Sequence, residues 1–209
     1  MTNYVSATDT NKLIRAALRE SFPGVKFSVR KTPGGSCRIQ WTDGPNAKQV
    51  DSLLSAFEGS YVDGMIDYKG QRYAWLDGKE AHFLVDFIFT DREYSRETEF
   101  RAIRRTCHEY AHQCEYLANT PPSQIYDDWK SGKLYNVYPC GGGWDMSHSL
   151  QSMLNERCGK HTFCPFPAPS KTLARVSFKG SDGYGAGQPD RNGNGHGYGG
   201  YPRPERMGA

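Results

Sequence analysis

Between Thr10 and Phe57 the spacing of apolar side chains passes from helical to alternating and back to helical. That succession commits the chain to a mixed α+β fold. Leu13, Ile14, Ala17 and Leu18 form one stripe between Thr10 and Ser21, with Lys12, Arg15 and Arg19 opposite, and Phe22-Pro23-Gly24 ends that helix. Val25–Arg30 and Cys37–Thr42 alternate apolar and polar residues around Pro33-Gly34-Gly35, which predicts a hairpin. Asp43-Gly44-Pro45 opens a second helix that buries Val50, Leu53, Leu54 and Phe57. Short strands are expected near Met65–Tyr68 and Tyr73–Leu76. His82–Thr90 is almost continuously apolar and reads as a central strand covered on both faces.

A long helix is predicted from Arg96 to Ala118, with Ser95 as N-cap and Glu97 and Glu99 in the first turn, where the helix dipole favours acids. Asn119-Thr120-Pro121-Pro122 ends it. Ser123–Lys130 and Met146–Arg157 read as shorter helices on either side of the loop Cys140-Gly141-Gly142-Gly143-Trp144. The expected architecture is a small, mainly antiparallel sheet packed by two N-terminal helices and the long one. Residues 5–118 form the α+β domain, and 119–178 form a Cys/His-containing helical and loop extension packed on it. Residues 179–209 form a glycine-rich tail, expected to be disordered because it cannot bury enough apolar surface to offset ordering. Tyr184, Tyr198, Tyr201, Arg203 and Arg206 give that tail a competing reading, a segment that stacks on nucleic acid or a partner.

Composition narrows the setting. No stretch approaches the roughly 18 apolar residues of a membrane span, and the first residues lack the basic and apolar regions of a signal peptide. The protein is therefore expected in the cytosol, with no membrane partner. There the six cysteines are reduced thiols or metal ligands rather than disulfides. A net charge of +3 permits binding to nucleic acid or an acidic protein without requiring either.

The helix–hairpin–helix–strand order carries a resemblance. Lys12-Leu-Ile-Arg-Ala-Ala-Leu18, Phe22-Pro-Gly-Val-Lys-Phe-Ser-Val29, Arg38-Ile-Gln-Trp-Thr-Asp-Gly-Pro45, Phe57-Glu-Gly59 and Asp63-Gly-Met-Ile-Asp67 stand in sequence. Together they resemble large polyvalent protein associated domain 29 over about residues 10–95. The resemblance implies a protein of a phage or plasmid, in the cytoplasm of a bacterial host, with a role against host defences or in element transfer. It implies no activity. Taken singly, each motif is explained by turn and helix-end chemistry. The first functional reading is thus a non-enzymatic accessory protein that binds a host protein or nucleic acid.

Two groups of residues suggest metal chemistry. His108-Glu109-Tyr110-Ala111-His112 matches the H-E-x-x-H pattern, in which two histidines four apart on a helix share a zinc ion and the glutamate acts as general base. Glu115, Glu156, His148 and Cys140 are candidate third ligands. Phe100, Ile103, Cys107, Tyr110, Ala111, Cys114 and Ala118 define the expected buried face, which puts His108 and His112 on the water side beside Arg101, Arg104 and Arg105. Glu97/Arg101 and Arg105/Glu109 are ordinary i, i+4 pairs of an exposed face, and that account competes with a zinc hydrolase. Cys158, His161 and Cys164 form a second candidate zinc site, completed by Cys140 or His148, against a reading as buried thiols. Arg101, Arg104 and Arg105 are also a candidate phosphate-binding strip, the basis of a third reading as a nucleic-acid-binding module. Gly141-Gly142-Gly143-Trp144 offers backbone N–H groups to a phosphate but lacks a following Lys-Ser/Thr, so it reads as a loop.

Overall fold

The computed structural model describes residues 2–64, 67–139 and 149–181. In chain order its elements are β1 (Asn3–Val5), α1 (Ala7–Ser21), β2 (Ser28–Lys31), β3 (Cys37–Thr42), α2 (Ala47–Leu54), β4 (Ser60–Asp63), β5 (Tyr68–Leu76), β6 (Lys79–Phe83) and β7 (Ile88–Glu93). There follow α3 (Arg96–Tyr110), α4 (Glu115–Asn119), α5 (Pro122–Lys130), α6 (Leu150–Lys160), α7 (Lys171–Ala174) and β8 (Val176–Ser181). The chain is mixed α+β, as expected. It divides into two compact units, one of Met1–Trp41, Ala47–Asp91 and Phe166–Ala209, the other of Thr42–Asn46 and Arg92–Pro165.

The first unit holds two sheets where one was expected. β1, β6, β5 and β4 are neighbours in that order, with β8 also on β5; β2, β3 and β7 form the second sheet. β1 runs parallel to β6, whereas β5 is antiparallel to β4, β6 and β8. The Pro33-Gly34-Gly35 turn joins β2 to β3 as expected, with both glycines at positive φ. A second hairpin, unforeseen, turns from β5 to β6 at Asp77-Gly78, again at positive φ. Asp-Gly is the composition such a tight turn requires, so its signal was present in the sequence. α1 starts earlier than its apolar stripe, because the Ser6 side chain accepts from Asp9 N at 3.1 Å and caps the helix. Ile14, Ala17 and Leu18 of α1, Ile39 and Trp41 of β3, and Val50, Leu54 and Phe57 are buried in this unit.

The apolar run His82–Thr90 is two strands, not one. The chain leaves β6 at Phe83 and enters β7 at Ile88. Between them Leu84 N donates to Val5 O at 2.9 Å, Asp86 N donates to Gly35 O at 3.1 Å, and Phe87 O accepts from Cys37 N at 3.0 Å. The Asp86 carboxylate accepts from Ser60 Oγ at 2.8 Å and Lys69 Nζ at 2.7 Å. The run serves both sheets in turn and is not covered on both faces as expected: Leu84 is 46% and Phe89 52% exposed, and β7 lies at the edge of its sheet. Gly59 sits against this crossing: its N donates to Val85 O at 2.8 Å, and a Cβ there would lie 1.8 Å from Phe83 O. Residues 176–181, expected to belong to the extension and the start of the tail, are the strand β8. The strand foreseen near Met65–Tyr68 begins at Tyr68 as β5, with Met65 and Ile66 outside the described residues. The rest of the tail, from 182 onward, also lies outside them.

The second unit is helical. Ala102, Ile103, Cys114, Leu117, Ile125, Trp129, Leu134, Leu150, Leu154 and Cys158 form its core. The helix expected over Arg96–Ala118 ends at Tyr110, and α4 begins at Glu115 after a turn in which Cys114 is extended at φ −128° and ψ 105°. No glycine or proline marks this break. It lets both Cys114 and Leu117 enter the core while Ala118, expected to be buried, is exposed. α6 begins at Leu150 with Ser149 as its cap; Met146–His148, where the sequence pattern places the start of that helix, lie outside the described residues. Among the described residues no helix is long and apolar enough to cross a membrane.

Candidate functional site

Ser95 fixes the start of α3, its Oγ accepting from Thr98 N at 3.3 Å. The buried stripe of the helix is Thr98, Glu99, Ala102, Ile103 and Thr106. That stripe is rotated from the expected one, because it includes polar residues that hydropathy does not flag. Thr106 Oγ1 donates back to Ala102 O at 2.9 Å, and the Glu99 carboxylate is paired with Lys130. With this stripe inward, Arg101, Arg104, Arg105, His108 and Glu109 are exposed, as expected for the arginine strip and for His108.

α3 packs against α6, and a groove of about 480 Å³ runs between them. Arg101 and Arg105 line it from α3, Arg157 and Lys160 from the last turn of α6, and His161 from just beyond. The acids near these cations sit at the exposed ends of their side chains. Glu97 meets Arg101 at 3.5 Å, Glu109 meets Arg157 at 2.6 Å, and Glu156 pairs with Lys160. Arg105 makes no ion pair among the described residues. Its expected partner Glu109 is taken instead by Arg157, whose guanidinium also lies 5.7 Å from the centre of the Tyr110 ring. Arg101 lies 5.3 Å from the centre of the Phe163 ring.

His161 is held in place by a residue the sequence did not flag. Arg92 Nη1 donates to His161 O at 2.8 Å and Cys158 O at 3.3 Å, while its Nε donates to Asp43 O at 2.9 Å and its Nη2 to Gly44 O at 3.3 Å. One guanidinium thus ties the carbonyls at the end of α6 to the Asp43-Gly44 turn. The His161 ring packs edge-on against Phe163 at 4.6 Å. Its Nε2 is buried with no hydrogen-bond partner among the described residues. Burial, then the charges of Arg101 and Arg92, push the imidazole below its ordinary pKa. The ring is therefore neutral in a positive field.

The residues of the H-E-x-x-H match do not share one helical face. His108 lies in the last turn of α3, whereas His112 falls in the turn that follows the helix, and both are exposed. Glu109 accepts from Arg157, and that hydrogen bond, followed by one from Tyr110, draws its carboxyl below the usual range. A glutamate so engaged is a poor general base for a metal-bound water. Among the candidate third ligands Glu115 is exposed on α4 and Glu156 is paired with Lys160. Cys140, His148 and the Gly141–Trp144 loop lie outside the described residues.

Cys158 is buried in the helical core and its thiol is pushed up to about 11, by burial first and then by the charge of Glu99. The Cys164 thiol is raised by burial as well. Zinc ligation needs the thiolate, so a metal at these thiols would have to displace their protons. Among the described residues no three His, Cys, Asp or Glu side chains gather as a metal-holding group.

Arg157 and Lys160, which line the groove, and Arg92, which braces the end of α6, are residues that the sequence did not single out. A basic last turn is ordinary helix chemistry, so nothing local distinguished Arg157 and Lys160; their meaning comes from the packing of α6 on α3. No curated protein and no solved structure matches the chain at a significant level. Over residues 5–95 the chain matches the family described as large polyvalent protein associated domain 29, the family it resembles in its opening helices and strands.

Proposed function

We propose that this is a non-enzymatic accessory protein of a phage or plasmid and that it binds nucleic acid through the groove between α3 and α6. The family match supports the context. The observation that carries the binding reading is the placement of Arg101, Arg105, Arg157 and Lys160 around one groove, with Arg105 lacking a carboxylate partner among the described residues and the nearby acids at the rim. Guanidinium groups match phosphate oxygens in charge and in the spacing of their donors, and Arg104 extends the strip along α3. Binding of this kind releases counterions, so it weakens steeply with salt.

Titration of the purified chain with labelled single-stranded and double-stranded oligonucleotides over a range of salt tests the reading. A linear fall of log affinity with log salt is expected, with a slope reduced by about one for each arginine removed from Arg101, Arg104 and Arg105. Affinity that ignores salt, or survives Arg101→Glu/Arg105→Glu unchanged, sinks it. Metal analysis of the same protein tests the competing zinc hydrolase: stoichiometric zinc lost on His108→Ala, with hydrolysis lost on Glu109→Ala, would replace nucleic-acid binding by catalysis.

A further inference from the structure

We infer that the α3–α6 groove receives a terminal phosphomonoester, the phosphorylated end of a nucleic-acid strand, and does not merely track internal phosphates. This rests on the nucleic-acid reading and names the part of the ligand that the groove selects.

An internal phosphodiester carries one negative charge and is adequately met by an exposed arginine strip. A terminal phosphate is close to doubly charged at neutral pH and has three peripheral oxygens. Its recognition calls for several cationic donors around one recess and a further polar atom at the inner end. The groove offers that set. Arg101, Arg105, Arg157 and Lys160 line it from two helices, so donors approach from opposite sides. His161 lines the same groove, and its Nε2 is buried without a hydrogen-bond partner among the described residues. A buried imidazole nitrogen in that condition is costly. It is shut off from solvent, so a phosphate meets it only when the ring turns toward the groove. A phosphate oxygen, or its hydroxyl when protonated, then supplies the missing partner in either tautomer. Arg92 holds the backbone of that residue through the His161 carbonyl at 2.8 Å.

The rim carboxylates sharpen the choice. Glu97, Glu109 and Glu156 engage Arg101, Arg157 and Lys160 from the exposed side. They repel a continuous backbone lying across the rim more than a strand end inserted between the helices. The groove volume of about 480 Å³ admits a nucleotide-sized group. Arg101 stacked on Phe163 and Arg157 near Tyr110 place aromatic rings beside the cations, where a terminal base could stack.

The test compares one oligodeoxynucleotide with a 5′-phosphate, a 3′-phosphate or hydroxyls at both ends, together with inorganic pyrophosphate and a free nucleoside monophosphate, by fluorescence anisotropy and calorimetry on the full chain. At least one phosphorylated end is expected to bind about tenfold more tightly than the hydroxyl form, as a charge-assisted contact supplies. That preference is expected to vanish in Arg105→Glu and in His161→Phe. Thermal melting of both variants checks that they fold, and Lys160→Gln, on the exposed side, provides a second reduction of the preference. Equal affinity for all three ends overturns the end-binding inference and leaves the nucleic-acid reading intact. A preference that persists undiminished in both Arg105→Glu and His161→Phe also overturns it, since the end is then held elsewhere. Tight binding of the nucleoside monophosphate with none of the oligonucleotides overturns both and makes the ligand a free nucleotide.

Discussion

The two units place their charged groups differently. In the first, carboxylates are the groups drawn inward, and each is met where the chain crosses itself. Glu58 accepts from Ile88 N at 3.1 Å and Arg72 Nη1 at 3.0 Å, Asp86 from Ser60 and Lys69, and Glu20 from Ser170 Oγ at 2.7 Å and Thr172 N at 2.9 Å. The second also buries an acid, Glu99 paired with Lys130. There, however, a guanidinium is drawn inward as well, at Arg92, with its donors consumed by four carbonyls, and a further set of cations lines a groove. Acids with every bond taken hold a fold together. Cations with donors in reserve, of which Arg105 is the clearest, can hold something else. On the proposed reading, that contrast assigns structure to one unit and binding to the other.

The contrast can be broken most severely at Gly59. Alanine there puts a Cβ into the Phe83 carbonyl, a backbone group that cannot swing aside, so Gly59→Ala is expected to cost more than about 4 kcal/mol and to abolish cooperative unfolding, as circular dichroism would register. Arg92→Met comes next. It strips the carbonyls of Asp43, Gly44, Cys158 and His161 of a charged donor, for an expected loss of about 3 kcal/mol in denaturant titrations, with weaker oligonucleotide binding as His161 shifts. An unchanged stability would mean that Arg92 is surface decoration and that the two kinds of arginine do not differ.

Glu109→Gln should leave the melting temperature where it is, since the pair with Arg157 is exposed. It should tighten nucleic-acid binding several-fold by removing a rim charge, about the size of a single screened interaction. Weaker binding would place Glu109 among the ligand contacts and revive its candidacy as a catalytic base. The smallest effect concerns pH. Burial foremost raises Glu58 above 4.5, partly countered by the Ile88 hydrogen bond and the Arg72 charge. The folded chain therefore binds this proton more tightly than the unfolded chain does. Stability should fall as pH rises from the ordinary carboxylate range through the raised value, then level off. Glu58→Gln should flatten that segment of a denaturant-midpoint profile measured from about pH 4 to 7; an unaltered slope would assign it to another group.

Local chemistry made much of this molecule readable in advance. The α1 stripe, the glycine turn between β2 and β3, the buried residues of α2 and the Ser95 cap all follow from neighbours a few positions apart. So does the exposure of Arg101, Arg104, Arg105 and His108. What escaped depends on distant partners. Cys114 leaves the helix to reach a core that residues 125–158 supply. His82–Thr90 divides because Val5, Gly35 and Cys37 compete for its backbone. The groove needs α6 against α3, and no spacing within either helix announces it.

The pairing of β8 with β5 sets an order of assembly. β5 is made early, yet its residues Arg72–Leu76 bond to Val176–Ser181, about a hundred residues later in translation. On the ribosome that half of β5 must wait, its hydrogen-bonding edge bare, while residues 92–165 of the helical unit emerge ahead of β8. A fragment cut at residue 95 would keep the family-matched segment and never receive the missing strand, so it should seek a substitute in its neighbours and precipitate.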